Sequence, residues 1–350
     1  MKILLFSDLH CANHSAFSTR LENGLNSRFQ DCLNILEQAY KLIIPNKIEV
    51  VIFLGDLFHS RTNVPVEVWS ETWKAFRKIG TIQSIRFFIL RGNHDESSRV
   101  GNIHSLTSFS DFAEVIEEPI RILHTSSAGS IVEMYFIPHT ADPDLMRSHL
   151  VSVPSSDLLF LHVGLAEAIP GSEISKAGEI SVNDLPFDKI KKIISGHIHK
   201  HQFLHGEDFL YVGSPLQQNF GERNDPKYFT IYNTTTKAFQ FIPADAPKFY
   251  SFELADNDNY PEELASVNYA RDFVKINYTK KWQEVVDLMK QEFPRIMFER
   301  IAESKHVTPR VDKNVLLSDA DLLDAWLSTK ELGELDKQTL MEIGLQALNE

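Results

Sequence analysis

The stretch Ile3-Leu4-Leu5-Phe6-Ser7-Asp8-Leu9-His10 is a short apolar run that ends in a carboxylate and an imidazole. The same grammar recurs four times. Residues 50–54 run into Gly55-Asp56, residues 86–90 into Gly92-Asn93-His94-Asp95, residues 158–161 into His162, and residues 192–194 into Gly196-His197-Ile198-His199. Runs rich in β-branched residues, Leu and Phe, without alternation, read as parallel strands buried on both faces. Loops leaving the carboxyl ends of such strands meet on one rim of an open α/β sheet, where ligands bind. That rim gathers Asp8, Asp56, Asn93, His10, His162, His197 and His199. A mixed set of oxygen and nitrogen donors of this kind suits divalent cations.

Each motif alone has an ordinary reading. Gly92-Asn93-His94-Asp95 is a natural turn, because Gly, Asn and Asp favour turns. His162, at the end of an apolar strand, reads by itself as a core histidine. Their joint recurrence at five strand ends is what carries the metal-site reading. His14, His104, His124, His139, His149, His201, His205 and His306 are assigned structural or surface places, and Cys11 that of a small buried hydrophobe.

Between these strands, residues 26–44 predict a helix through Phe29, Leu33, Leu36, Tyr40 and Ile43, closed by Pro45. Pro65 opens a second helix with an apolar face through Ile79, and Gly80 ends it. This β-α-β-α-β order fixes the first half as α/β with a parallel sheet. A more strand-rich half follows, with one helix near residues 142–151 and a Gly/Ser/Glu-rich loop at 164–185 expected close to the rim. The expected architecture is a two-sheet α/β sandwich over residues 1–245, with helices outside.

Pro243-Ala244-Asp245-Ala246-Pro247 marks a boundary. Residues 246–305 predict a small α+β lobe of two strands, a helix and a further strand, too small to be expected to fold alone. Residues 306–350 predict a linker and a helical hairpin, with Leu322, Leu323, Trp326 and Leu327 as its apolar stripe and Asp336 as a cap for its second helix.

The 350 residues are 43% hydrophobic and 24% charged, as in an ordinary globular protein, and they exceed the span of one typical domain. Two cysteines give no disulfide framework, and a reducing cytoplasmic compartment is the expectation. No run approaches a membrane span, and Asp8 and His10 follow the first apolar run too soon for a secretory signal. The net charge of −13 runs against the basic footprint of a nucleic-acid binder. Nine acids against three bases in residues 311–350 account for −6 of it, however, and two bound cations would add positive charge at the rim.

Seven donors are too many for one ion and suffice for two if one carboxylate, Asp56, is shared. Carboxylates suit hard ions and the imidazoles draw the preference toward Mn, Fe or Zn over Ca. Two cations about 3.5–4 Å apart activate water and clamp the oxygens of an in-line phosphoryl displacement. His94 is placed to act on the phosphate or its leaving oxygen, and Asp95 is expected to orient the His94 ring. The implied reaction class is metal-assisted phosphoester hydrolysis.

These five motifs, in this order, resemble those of the calcineurin-like metallophosphoesterases. The resemblance implies the metallophosphoesterase type of α/β sandwich. It also implies that Asp8, His10, Asp56 and His199 hold one ion and that Asp56, Asn93, His162 and His197 hold the other. Within the superfamily the chain looks most like the SbcD-type nuclease subunit of double-strand-break processing complexes, in a small, phage-type form. Gly55-Asp56-Leu57-Phe58-His59 carries His where the protein phosphatases carry an Asp-Arg pair. The segment from Gly213-Ser214-Pro215 to Glu222 and the order of domain, lobe and helical tail add to the likeness. Cys11-Ala12 departs from the usual Leu-Gly but removes no ligand.

The likeness implies a Mn-dependent DNA exonuclease and endonuclease, with Mg, Fe or Zn as alternative metals and His59 placing the DNA strand. It further implies a cap that positions DNA, a homodimer, and tail helices that dock on an SbcC-like ATPase. The competing readings are a small-molecule phosphodiesterase or phosphatase, and a non-catalytic scaffold.

Overall fold

The computed structural model describes residues 1–98, 103–169, 180–255, 264, 267–293, 296–301, 327 and 336–341. The chain divides into a compact unit over Met1–Glu299 and a second over Arg300–Glu350.

The first half forms β1 (Lys2–Phe6), α1 (Ser27–Ile43), β2 (Val50–Phe53), α2 (Val66–Gly80) and β3 (Arg86–Leu90). The Asn26 side chain caps α1 by accepting the N–H groups of Arg28 and Phe29. Pro65 sits at the N-cap of α2 with φ −56°, just ahead of the first helical residue. Three short or intermediate strands follow, β4 (Glu114–Ile116), β5 (Ile120–Thr125) and β6 (Ile131–Ile137), then α3 (Pro143–Ser152) and β7 (Ser156–His162). The next strands are β8 (Ile190–Gly196), β9 (Gln202–Leu204), β10 (Phe209–Tyr211), β11 (Tyr228–Asn233) and β12 (Ala238–Pro243).

Two six-stranded mixed sheets result, ordered β12-β11-β1-β2-β3-β4 and β5-β6-β7-β8-β10-β9. The lack of alternation in the strand sequences now has its physical cause. In β1–β3, Leu4, Phe6, Val51, Phe53, Phe87 and Ile89 face α1 and α2. The intervening Ile3, Leu5, Val50, Ile52, Phe88 and Leu90 pack on Met134, Phe136, Leu158, Phe160, Ile194 and Leu210 of the second sheet. The far face of that sheet, with Leu159, Leu161 and Ile193, is covered by Met146 and Leu150 of α3. Helix, sheet, sheet and helix are thus four layers, and the inner strands are apolar on both faces.

The parallel registers align the strand ends. Ile3 pairs with Val50 and Val50 with Arg86, while His162 pairs with Gly196 in the other sheet. The loops after β1, β2, β3, β7 and β8 therefore open on one edge of the sandwich. Two features differ from a simple first-half, second-half division. β11 runs antiparallel beside β1, so the chain returns to its first sheet late in the sequence. The three-residue strands β4 and β9 at the sheet edges carry too little pattern to be read in advance.

The lobe contains β13 (Phe249–Leu254), β14 (Phe273–Tyr278), α4 (Gln283–Glu292) and β15 (Ile296–Arg300), with sheet order β13-β14-β15. Leu254, Leu264, Val274, Ile276 and Val286 make its own small core. Most of the expected helical tail and part of loop 164–185 lie outside the described residues. Where the tail is described, an Asp336 carboxylate oxygen accepts the Thr339 N–H at 2.8 Å, as a helix cap does.

Candidate metal centre

Asp8, His10, Asp56 and His197 all have left-handed backbones, with φ of 54°, 46°, 59° and 85°. Such a conformation costs a non-glycine residue on the order of 1–3 kcal/mol and persists only where surrounding bonds enforce it. Here they do. Asp8 N–H donates to Gly55 C=O at 3.0 Å and His10 N–H to Asp56 C=O at 3.1 Å, which stitches the first two loops together. Both Asp8 carboxylate oxygens accept the His197 N–H, at 3.2 and 3.1 Å, and so join the two sheets across the edge.

The third loop is tied in by Asp95. Its carboxylate accepts the N–H groups of Asp56 (2.9 Å), Leu57 (3.0 Å) and Gly92 (2.9 Å). The expectation that Asp95 orients the His94 ring is therefore corrected: its carboxylate accepts from backbone N–H groups, and His94 Nδ1 bonds to the His59 carbonyl at 2.7 Å instead. The cause is burial, since a carboxylate wholly removed from water takes the nearest unpaired N–H groups. Burial, followed by the nearby Asp56 charge, pushes Asp95 up to about 6. Gly92 is needed for close approach, because a Cβ there would strike the Asp56 carboxylate and backbone nitrogen.

The seven expected donors converge. Asp8, His10 and His199 form one group and Asp56, His162 and His197 another, each with its ligand atoms within 4.8 Å of one another. Asp56 lies between them, 3.7 Å from His10 Nε2 and 3.3 Å from His162 Nε2. The Asn93 amide is 3.0 Å from His162 Nε2 and 2.8 Å from His197 Nδ1. His10, His59 and His94 form a third cluster beside the first, with the His59 and His94 rings stacked at 5.8 Å.

The donor set fits a pair of cations. His162 Nδ1 bonds to the Leu54 carbonyl at 2.6 Å and His199 Nδ1 to Glu222 at 2.9 Å, so both rings turn Nε2 inward. Fixing one nitrogen so that the other presents its lone pair is how metal-ligating histidines are held. His10 Nε2 and His199 Nε2 face each other at 3.1 Å, an approach of two ring nitrogens that a shared cation would satisfy. Asp8 and Asp56 are buried, and histidines are the charges that favour their ionised forms.

The electrostatics agree. Burial pushes Asp8 up, against the opposing pull of His162 and His199. Burial acts likewise on Asp56, but His162, His10 and His94 together outweigh it and hold this carboxyl well below its usual range. His162, penalised by burial, is nonetheless raised to about 9 by Asp56 and Asp8. His197 falls to about 3 through burial and the His162 charge. With no cation bound, a proton on His162 supplies the positive charge that the carboxylates require.

Several residues near the site take no role there from the sequence, Glu222 and Gln218 entering only as part of the Gly213–Glu222 segment. Glu222 accepts from His199 and from Lys227 Nζ (2.6 Å), while Gln218 donates to the carbonyls of Asp8 and Leu9 at 3.2 and 3.4 Å. His139 stacks on His197 at 6.5 Å. His201 instead packs on Phe241 (4.5 Å) and His205 on Phe187 (4.0 Å).

Comparison with known proteins places this geometry. The calcineurin-like phosphoesterase family profile matches residues 1–201. The chain is 23% identical over 265 residues to the DNA double-strand break repair protein Mre11 of Methanocaldococcus jannaschii, covering 74% of this chain and 66% of that one. It is 22% identical over 329 residues to the SbcD component of the SbcCD nuclease of Staphylococcus saprophyticus, covering 85% and 84%. It is also 22% identical over 262 residues to a probable cyclic nucleotide phosphodiesterase of Psychrobacter arcticus, covering 69% and 82%. The chain thus spans just under two thirds of the length of the archaeal Mre11 relative. No helix among the described residues is long and apolar enough to cross a membrane. A dinuclear divalent metal site is the family's common feature, and the chain belongs to the calcineurin-like phosphoesterases, with Mre11 and SbcD proteins among its relatives.

Proposed function

We propose that this phosphoesterase is a Mn-dependent DNA nuclease that hydrolyses phosphodiester bonds in DNA end processing, recombination and repair. The observation that carries the reading is the His59–His94 pair beside the donor cluster, held by the His94 Nδ1 bond to the His59 carbonyl. The names of the Mre11 and SbcD relatives support it.

In this reading Asp8, His10, Asp56 and His199 hold one ion and Asp56, Asn93, His162 and His197 the other. The pair, when bound, supplies Lewis-acid activation of water and of the phosphoryl group. The chain's own residues do the rest. His94, its Nδ1 committed, presents Nε2 to the phosphate and carries the proton for the leaving oxygen. His59 packs on that ring and positions the strand. Asp95 keeps the Asp56 and Gly92 loops in register. Residues 1–245 are the catalytic domain, residues 246–305 cap and position DNA, and residues 306–350 dock on an SbcC-like ATPase within a homodimeric complex.

The test is Mn-stimulated cleavage of linear duplex and single-stranded DNA by the purified chain, lost in Asp56→Ala. Protein that binds two Mn ions and cuts no DNA contradicts the reading. The phosphodiesterase relative favours one alternative, a phosphodiesterase of small nucleotides. Faster turnover of a cyclic nucleotide than of DNA would select it.

A further inference from the structure

The two edges of the Asn93 side-chain amide keep different company. One edge lies 3.0 Å from His162 Nε2, 2.8 Å from His197 Nδ1 and 3.2 Å from an Asp56 carboxylate oxygen. The other lies 3.2 Å from Arg61 Nη2. An amide offers an acceptor on one edge and donors on the other, so only one of these neighbourhoods can have the oxygen.

With a cation in the cluster, the oxygen belongs on the inner edge. The amide NH2 then faces the guanidinium, donor against donor, and Arg61 gains nothing from Asn93. Among the described residues no carboxylate is paired with Arg61. A guanidinium has five N–H donors, no acceptor, and a planar fork matched to phosphate oxygens. In the loaded centre it is a cation with no paired anion among the described residues, two residues beyond His59 and beside a ligand. With no cation the amide is better reversed. It then donates inward to His197 Nδ1 and one Asp56 carboxylate oxygen, leaving His162 Nε2 to the other at 3.3 Å, and its own oxygen accepts from Arg61.

We propose that Arg61 binds a non-bridging oxygen of the substrate phosphodiester, and that the Asn93 amide releases it for this role only when the metal centre is filled. The inference rests on the phosphodiester reading above and adds the residue that recognises the phosphate and an order of events, cations first and phosphate second. Arg61 is the attracting group, and the amide reversal is the switch.

The test is calorimetric titration of the full chain with inorganic phosphate, with and without Mn, for the wild type, Arg61→Ala and Arg61→Lys. The expected result is phosphate binding by the Mn-loaded wild type, weakened on the order of tenfold or more in Arg61→Ala and partly restored in Arg61→Lys, since a charge-assisted hydrogen bond is lost and then replaced by a point charge. All three proteins are expected to bind the same number of Mn ions, and without Mn the Arg61→Ala change is expected to have no effect on phosphate. Equal phosphate affinity in Mn-loaded Arg61→Ala and wild type overturns the proposal. So does absence of phosphate binding in the wild type, loss of Mn from Arg61→Ala, or an equal Arg61 effect with and without Mn. Failure to cut DNA, with Arg61-dependent phosphate binding intact, would instead remove the nuclease reading alone.

Discussion

Glu222 accepts a hydrogen bond from His199 Nδ1 at 2.9 Å, and that bond decides which nitrogen the ring offers to the centre. Lys227, also buried, holds the other Glu222 oxygen at 2.6 Å and donates to the Ser214 hydroxyl at 2.9 Å. The carboxylate is thus pinned on both sides. Losing such an outer partner weakens metal binding by about 10–100-fold. Glu222→Gln is expected to do so in a Mn titration, with the remaining donors unchanged.

The same carboxylate gives stability a pH dependence. Burial pushes Glu222 up, but His199 and Lys227 outweigh it and hold the group down at about 2, against an ordinary 4.5. A depressed carboxyl stabilises the fold above its unfolded value, and that contribution is lost as pH falls from about 4.5 through about 2. The wild type is expected to lose on the order of 3 kcal/mol over this window. Denaturant melts at stepped pH should show a shallower acid dependence in Glu222→Gln. An identical dependence would contradict the assignment.

Filling the centre must displace a proton. His162 is raised to about 9 by its carboxylate neighbours despite burial, so at neutral pH it is protonated until a cation takes Nε2. Mn titrations in buffers of different ionisation enthalpy are expected to report net proton release at neutral pH, fading as pH rises through about 9. Binding without proton release would place the cation elsewhere.

His94 and Asp95 separate chemistry from scaffolding. His94→Ala removes a ring that contacts His59 and His10 while leaving its own N–H to Asp56 in place, at 2.8 Å. It is expected to keep bound Mn and to lose on the order of 10²–10⁴-fold in turnover on DNA. Asp95→Ala strips the acceptor from three buried N–H groups and is expected to lower both thermal stability and Mn affinity. An Asp95→Ala protein with normal metal content and only slower turnover would restore a direct role for Asp95 on His94.

Gly92→Ala tests the packing of the centre. The added methyl meets Asp56 side chain and backbone together, where neither can retreat without moving the loop. A destabilisation of about 1–3 kcal/mol and loss of Mn binding are the expected outcome, read from thermal melts and metal analysis.

The sequence carried the parallel core and the donor set because both are local patterns. Strands buried on two faces write themselves as unbroken apolar runs, and each donor sits within a few residues of such a run. Asp56 and His162 are legible as members of a series, although His162 alone resembles a core histidine. What pins them is not legible. Glu222 is 23 residues from His199 in sequence, and nothing in its local context marks it as that ring's partner. Arg61 looks like an ordinary loop cation until the Asn93 amide is seen beside it. The spacing of Asp95 to His94 suggests a side-chain contact, whereas burial turns its carboxylate to backbone N–H groups. The return of β11 to pair with β1 is a tertiary choice that strand periodicity does not encode.

Anomalous scattering from a Mn-soaked crystal addresses the central claim most directly. The account predicts two peaks about 3.5–4 Å apart, with Asp56 spanning them, Asp8, His10 and His199 around one and Asn93, His162 and His197 around the other. A lone peak not touching Asp56, or no peak within this cluster at saturating Mn, would contradict it.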